Sequence, residues 1–244
     1  MTLADTNFCV ITPLANEAEG LIILVDELKT TLDLIGNGNV CFIVDNASKD
    51  NTLALCQQVA KNDSRFKVVW APENRNVVDA YMRGYKEVCN EYDYVIEMDA
   101  GLSHDPKALP DFLNTINQGY DIVYGSRFMR GGKISNAPAS RLFLSKGGTL
   151  LASVLLGTYM YDMTSGYIAM RGEIAQRFAA YNLRSKGHFY QTEMRYLLRK
   201  YKSTEIPIHY QSPSKRVSSN SIINSFSVLF FYFQRRITGR SISI

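Results

Sequence analysis

An alternation in the chain limits what it can fold into. Short runs rich in Val, Ile and Phe recur at "NFCVIT" (7–12), "VCFIVD" (40–45), "FKVVW" (66–70), "YVIEM" (94–98) and "DIVYG" (121–125). Between them, 16–34, 50–62, 77–90 and 106–118 carry helical periodicity. Strands that are apolar nearly throughout must be covered on both faces, and amphipathic helices supply that cover. The pattern predicts an α/β fold with a mainly parallel central sheet and helices on both sides. In such sheets ligands bind beyond the carboxyl ends of the strands. Polar residues gather there: Asn16 and Glu17 after the first strand, Asp45 after the second, Asp99 after the fourth, Ser126 and Arg127 after the fifth.

After about residue 130 the pattern changes. "GGKISNAPASR" reads as a loop, and a long apolar segment, 142–161, follows, interrupted by Lys146 and a Gly pair. "MTSGYIAM" resembles a strand, "FYQTEMRYLLRKY" a helix and "TEIPIHY" a strand; the polar loop "QSPSKRVSSNS" leads to a last helix, "IINSFSVLFFYFQRR". There is no internal repeat, low-complexity tract or clear linker. At 244 residues the chain suits a single domain. Three parts are distinguished: 1–125, 126–221 and a C-terminal amphipathic helix, 222–244. That helix has an unbroken apolar run only from Val228 to Phe233, far short of a membrane span. With Arg235, Arg236 and Arg240 beyond it, it either lies in a headgroup layer or packs on the core.

The net charge of +4 conceals a division. Residues 1–125 hold 9 Lys and Arg against 19 Asp and Glu, whereas residues 126–244 hold 18 against 4. The second half is expected to face phosphates or an acidic membrane surface rather than nucleic acid. Four cysteines, Cys9, Cys41, Cys56 and Cys89, are widely spaced and form no C-x-x-C pair, which favours buried free thiols. The start of the chain lacks the basic and apolar regions of a signal peptide, so a cytoplasmic location is expected.

No nucleophile elbow, Walker loop or dinucleotide fingerprint is present. What remains is an ordered series at the strand ends: "ITPLANEAEG", "IVDNASKDNT", "MDAGLSHDP", "GSR", "DMTSGYIAMR" and "FYQTEM". Glu17 and Asp45 offer carboxylate acceptors in this series, and Asp99 offers a hard oxygen donor of the kind a divalent cation takes. The series resembles the family-two glycosyltransferases of GT-A fold, and within them the dolichyl-phosphate mannosyltransferase branch. That branch shows P-x-x-N-E, V-D-D-x-S-x-D-x-T, M-D-A-D-x-x-H-P-P, G-S-R, D-x-T-S-G-F and F-Q-x-E-M in the same order. The match spans roughly residues 8–210.

The resemblance implies an inverting hexosyl transfer, with mannose from GDP-mannose passing to a polyprenyl or dolichyl phosphate. A UDP-sugar donor and an inactive nucleotide-sugar-binding subunit are the alternatives. It implies Mg²⁺ or Mn²⁺ held by Asp99 and Ser103, and catalytic roles for Asp99, Arg127 and Glu193. The donor is expected at Pro13, Asn16, Glu17, Asp45, Asn46, Ser48, Ala100 and Gly101. The acceptor is expected at Ser126, Arg130, Asp162, Ser165, Gln191, Lys215 and Arg216. The implied partners are the nucleotide sugar, a lipid-linked phosphate, a peripheral contact on the cytosolic face of a membrane, and a second copy or a membrane subunit. The chain departs from the pattern at Asn46, which replaces the second Asp of the strand-two motif, and at Gly101, which replaces the second metal-site Asp. The lost carboxylate at 101 is expected to leave room and less negative charge beside the transferring sugar.

Overall fold

A computed structural model of the chain describes residues 3–211 and 219–244. The first half alternates as expected: β1 (Phe8–Leu14), α1 (Leu21–Ile35), β2 (Gly38–Val44), α2 (Thr52–Asn62), β3 (Phe66–Trp70), α3 (Val77–Val88), β4 (Tyr94–Glu97), α4 (Leu109–Ile116) and β5 (Ile122–Ser126). The second half contributes β6 (Lys133–Ser135), α5 (Ala139–Leu156), β7 (Ile168–Arg171), α6 (Gly172–Ala179), α7 (Tyr190–Leu197), β8 (Ser203–Pro207), β9 (His209–Gln211) and α8 (Ser219–Ile237). Seven strands form one sheet in the order β3-β2-β1-β4-β7-β5-β8, and β6 pairs with β9 in a separate two-stranded sheet. Every pair in the large sheet is parallel except those made by β7, which runs antiparallel to both β4 and β5.

The sheet is buried on both faces, which is why its strands read as apolar throughout. One layer joins Val10, Phe42 and Ile96 to Leu24, Leu28 and Leu32 of α1 and to Phe112 of α4. The other joins Ile11, Ile43 and Val95 to Tyr81 and Tyr85 of α3, Phe178 of α6 and Met194 of α7. A third cluster ties α5 to α7 and α8 through Ala152, Leu156, Tyr196, Leu229 and Tyr232. All four cysteines are free and buried. Burial holds each thiol above its ordinary pKa, Cys41 and Cys56 at about 12.

Several boundaries differ from the sequence expectation for identifiable reasons. The first helix begins at Leu21 rather than near 16, because Asn16 adopts φ +60 and its side chain is committed to a neighbouring loop. The third begins where Asn76 Oδ1 accepts the Val78 and Asp79 N–H groups, a side-chain N-cap. The apolar segment after 142 is the helix α5, closed by Gly157 in the left-handed region at φ +68. "TEIPIHY" divides at Ile208 into β8 and β9. The helix α6 and the two-stranded sheet have no counterpart in the sequence reading.

Gly172, at the turn from β7 into α6, shows how tightly the far end of the sheet is closed. A Cβ there would fall 2.2 Å from the Tyr92 carbonyl oxygen, while the Gly172 N–H donates to Asp93 O at 2.7 Å. Backbone faces backbone, so no side chain is available to yield. Gly172→Ala is expected to lower stability by about 1–3 kcal/mol, read as a lower urea midpoint at unchanged slope.

Candidate active site

Beyond the carboxyl ends of β1 and β2, two loops are stitched together by side chains. The Asn16 N–H donates to Ser48 Oγ at 3.1 Å, its Nδ2 donates to Ala47 O, and its Oδ1 accepts the Lys49 N–H at 2.8 Å. Asp50 accepts from the Ala18 N–H, the Ser48 hydroxyl and both the N–H and hydroxyl of Thr52. These donors, the Thr52 hydroxyl foremost, hold its carboxyl down at about 2. The Glu17 N–H donates to Thr52 Oγ1 at 2.9 Å. Asp45 lies at the floor between the loops, with Oδ1 accepting the Ala47 N–H. Asn46 donates to Pro72 O, bringing in the loop after β3. Asn16, Asn46 and Ser48, expected to touch the donor, thus spend their side chains on the frame. Asp45 and Glu17 are the acids of this region, and Pro13 is built into β1 beside Ile43.

Asp99 follows β4 and is fixed from two sides. The Tyr81 hydroxyl donates to Oδ1 at 2.5 Å, and the Asp99 N–H donates to His104 Nδ1 at 2.9 Å. That second bond puts the imidazole proton on Nε2, 3.9 Å from Asp99 Oδ2. His104 is fully buried between Tyr167 and Tyr210, and burial pushes its pKa down to about 4, so the ring is neutral at pH 7. Two residues before Asp99, the Glu97 carboxyl points into the protein and accepts from the Tyr85 hydroxyl at 2.9 Å and from the Tyr190 hydroxyl. Tyr190 in turn stacks on Tyr81. Burial pushes Glu97 up to about 8, against the two tyrosine hydroxyls, which favour the anion.

Asp99 opens onto a cavity of about 230 Å³. Its inner end holds Asp99, Arg127, Thr164, Gly166 and Gln191, and its outer walls are Leu144 and Leu151 of α5 and Ile222, Phe226 and Leu229 of α8. Gly166 permits the close approach: a Cβ there would lie 3.1 Å from Asp99 Oδ1 and 2.4 Å from Gln191 Nε2. With its amide turned to donate to Thr164 O and accept the Gly166 N–H, Gln191 braces the same turn. Arg127 makes a two-pronged pair with Asp162, at 2.7 and 2.8 Å, and donates to the Thr164 hydroxyl. Burial opposes both charges, yet the pair holds the guanidinium above its ordinary pKa and Asp162 below its own.

Several residues expected to meet the acceptor or metal have partners within the protein. Asp162 is fully buried and serves Arg127 rather than a ligand. Glu193 does not line the cavity; it accepts the Arg184 and Ser185 N–H groups and the Tyr232 hydroxyl, fastening α7 to α8. Ser165 supports the Tyr167 N–H, and its carbonyl accepts from the buried Arg195. Ser126 Oγ accepts the Met129 N–H at the end of β5. Ser103 is buried, and its carbonyl accepts the Gln211 N–H. Arg130 is exposed on the loop after β5. Lys215 and Arg216 lie outside the described residues. Tyr81, Thr164, Thr192 and His188 stand at the site without having been singled out in sequence. "DMTSGY" contained Thr164, whereas nothing local marks Tyr81 as more than the apolar face of a helix.

Among the described residues, no group of three or more His, Cys, Asp or Glu is close enough to hold a metal unaided. Asp99 offers hard carboxylate oxygen, the donor type that Mg²⁺ and Mn²⁺ take, and suits a cation whose other ligands come from a diphosphate and water. Gly101 does not leave an open space beside it. At φ +66, a Cβ on Gly101 would lie 2.9 Å from Glu17 Oε2, so the Glu17 carboxylate occupies the room that the missing side chain was expected to leave.

Two predictions follow from this geometry. Gly101→Asp puts a β-carbon in the left-handed region and a carboxylate against Glu17. It is expected to lower stability by about 1–2 kcal/mol, with part of the loss recovered by Glu17→Gln, as read from thermal melts at low ionic strength. Glu97 sets a pH dependence. Its folded pKa lies above its unfolded value, so its stabilising contribution is whole below the unfolded pKa and fades as pH climbs through about 8. Urea midpoints are expected to fall from about pH 5 to 8 in the wild type and to fall less in Glu97→Gln.

Residues 9–179 match the model of glycosyl transferase family 2. The chain is 31% identical to polyprenol monophosphomannose synthase of Mycolicibacterium smegmatis, over 95% of this chain and 87% of that one. It is 33% identical to undecaprenyl-phosphate mannosyltransferase of Micrococcus luteus, over 75% and 74% of the two chains. In fold it is similar to glucosyl-3-phosphoglycerate synthase from Mycobacterium tuberculosis in complex with Mn²⁺, UDP-glucose and phosphoglyceric acid. That likeness has a TM-score of 0.66 at 16% identity, covering 97% of this chain and 81% of that one. The mainly parallel sheet and its flanking helices are those of a GT-A fold, and the chain belongs to glycosyl transferase family 2.

Proposed function

We propose that the chain transfers a mannosyl group, with inversion, from GDP-mannose to the phosphate of a polyprenyl lipid. The observation that carries this reading is the two-ended cavity: a carboxylate and a fixed guanidinium at its inner end, and leucine, isoleucine and phenylalanine walls toward solvent. An acceptor that is a phosphate at one end and a hydrocarbon at the other fits that division. The two mannosyltransferase relatives support it. The donor's base and ribose are assigned to the cleft floored by Asp45 and flanked by Glu17.

A phosphate acceptor is already anionic at pH 7, so the transfer requires no side chain to remove a proton, and catalysis rests on positioning and charge. Tyr81 fixes the Asp99 carboxylate and His104 the Asp99 backbone N–H, while Asp162 fixes Arg127 so that its cation is presented in one orientation to the acceptor phosphate. Asp99 would hold Mg²⁺ or Mn²⁺ together with the donor diphosphate, and the cation would offset charge on the departing nucleotide. The apolar walls keep water from competing for the sugar. Among the described residues no helix is long and apolar enough to cross a membrane.

Incubation with labelled GDP- and UDP-sugars and short polyprenyl phosphates, with and without Mg²⁺ or Mn²⁺, tests the assignment by lipid-extractable label. Asp99→Asn is expected to cut turnover at least ~100-fold while the fold is retained. Asp45→Ala is expected to weaken donor binding about tenfold in calorimetry. Full turnover in Asp99→Asn would overturn the site, and label from UDP-sugars alone would overturn the donor. Nucleotide-sugar binding with no transfer to any acceptor would make the chain a binding subunit.

A further inference from the structure

Consecutive carbonyls in the turn before β7 are taken by side chains of a single helix. The Thr192 hydroxyl donates to Met163 O at 2.8 Å, the Gln191 amide, oriented as above, to Thr164 O at 2.6 Å, and the Arg195 guanidinium to Ser165 O at 2.8 Å. Gln191 also accepts the Gly166 N–H at 3.2 Å. These side chains are buried, and positions 191, 192 and 195 share one side of α7. The turn they hold carries Thr164, whose hydroxyl meets Arg127, and Gly166, which lies against Asp99. Where α7 stands, this turn stands.

The helix is tied to the sheet by its first residue. The Tyr190 hydroxyl donates to Glu97 Oε1, while Oε2 of the same carboxylate accepts from Tyr85 of α3 at 2.9 Å. One fully buried acid thus fastens α7 and α3 to β4, two residues before Asp99. The Tyr190 ring also stacks on Tyr81, centroids 5.4 Å apart, and Tyr81 holds Asp99 Oδ1. Tyr190 stands where the F-Q-x-E-M pattern has Phe, and the added hydroxyl is the one that reaches Glu97. Glu193, on the same helix, is engaged with Tyr232 of α8 instead. Stability alone gives little reason for the pair. An apolar side chain at 97 and a Phe at 190 would fill the same space without taking a carboxylate out of water, and such replacements are often neutral or stabilising. What an apolar pair lacks is direction, because a hydrogen bond fixes one arrangement and close packing tolerates several.

We propose that Glu97 and Tyr190 are positioning residues for the transfer: their hydrogen bond sets where α7 stands against β4, and with it the separation between the Asp99 carboxylate and the Arg127 guanidinium across the cavity. This rests on the lipid-phosphate reading of that cavity. Neither residue lines it, so both act through others. The cleft at Glu17 and Asp45 is built on the loops after β1 and β2 and stitched to itself, so nucleotide binding does not depend on the pair. Alignment of the acceptor with the sugar does.

Tyr190→Phe removes one hydroxyl and keeps the stacked ring. With a short polyprenyl phosphate, its kcat is expected to fall about tenfold while the KM for GDP-mannose stays within about twofold of the wild type. Glu97→Gln still offers Tyr190 an oxygen and is expected to keep at least about half of the wild-type kcat. Glu97→Met matches the acid in size without the oxygen and is expected to behave like Tyr190→Phe, and the Glu97→Met, Tyr190→Phe double variant no worse than either alone. Amide exchange supplies a readout apart from turnover. The Gly166 N–H, held by Gln191, is expected to exchange about tenfold faster in Tyr190→Phe than in the wild type. The Met98 N–H, bonded to Ile11 O within the sheet, is expected to keep its rate and serves as the control. An unchanged kcat in Tyr190→Phe, equal losses in Glu97→Gln and Glu97→Met, or unchanged Gly166 exchange would each overturn the proposal. Faster exchange at Met98 and Gly166 alike would mean that the pair only stabilises the fold, and would overturn it too. A wild type that labels no polyprenyl phosphate from any donor would count against the lipid-phosphate reading alone, and Gly166 exchange would still decide whether the pair places the turn.

Discussion

The site depends on a single reversed strand. β7 enters the sheet between β4 and β5 against their direction, so the segment that precedes it, Asp162 to Gly166, arrives at the carboxyl ends of its neighbours. Glu97 pairs with Ile168 in that register, and two residues further along each strand Asp99 meets Gly166. A parallel strand in that place would have started at the opposite edge of the sheet and carried the segment before it away from Asp99. With β7 reversed, the chain's second half supplies Asp162, Thr164 and Gly166 to a site whose acid comes from the first.

Charge within the site is arranged in pairs before any ligand is present. Arg127 is locked by Asp162, and Asp99 is locked by Tyr81 and His104. Removing one member of a buried pair leaves the other uncompensated, which costs more than the pair contributes. The groups assigned to the substrate are therefore held by groups that are not, and the direction of each cation and carboxylate is set by folding.

The sheet and its helices were legible because an apolar strand covered on both faces leaves a mark in every residue of the run. The strand-end acids were legible for a related reason: Asp99 and Asp45 are the first polar residues after such runs. The orientation of Glu193 and Asp162 was not legible, because sequence shows that a polar residue belongs to an element but not which way it turns. Each turns inward to a partner distant in sequence, Tyr232 for Glu193 and Arg127 for Asp162. Tyr81 was illegible for the opposite reason, since a tyrosine on the apolar side of α3 looks like core until Asp99 is seen above it. Gly101 read as a simple loss, and only the fold shows that Glu17 reaches into the vacated volume.

The four buried thiols have a practical consequence. A cysteine reacts as thiolate, and all four combine burial with a pKa held above its ordinary value, so modification of the native state is doubly suppressed. They sit in different parts of the fold: Cys9 and Cys41 in the adjacent strands β1 and β2, Cys56 in α2, and Cys89 at the end of α3. Labelling at each must wait for its own region to open. The protein thus contains four clocks, and the order in which a thiol reagent marks them records the order in which its layers come apart.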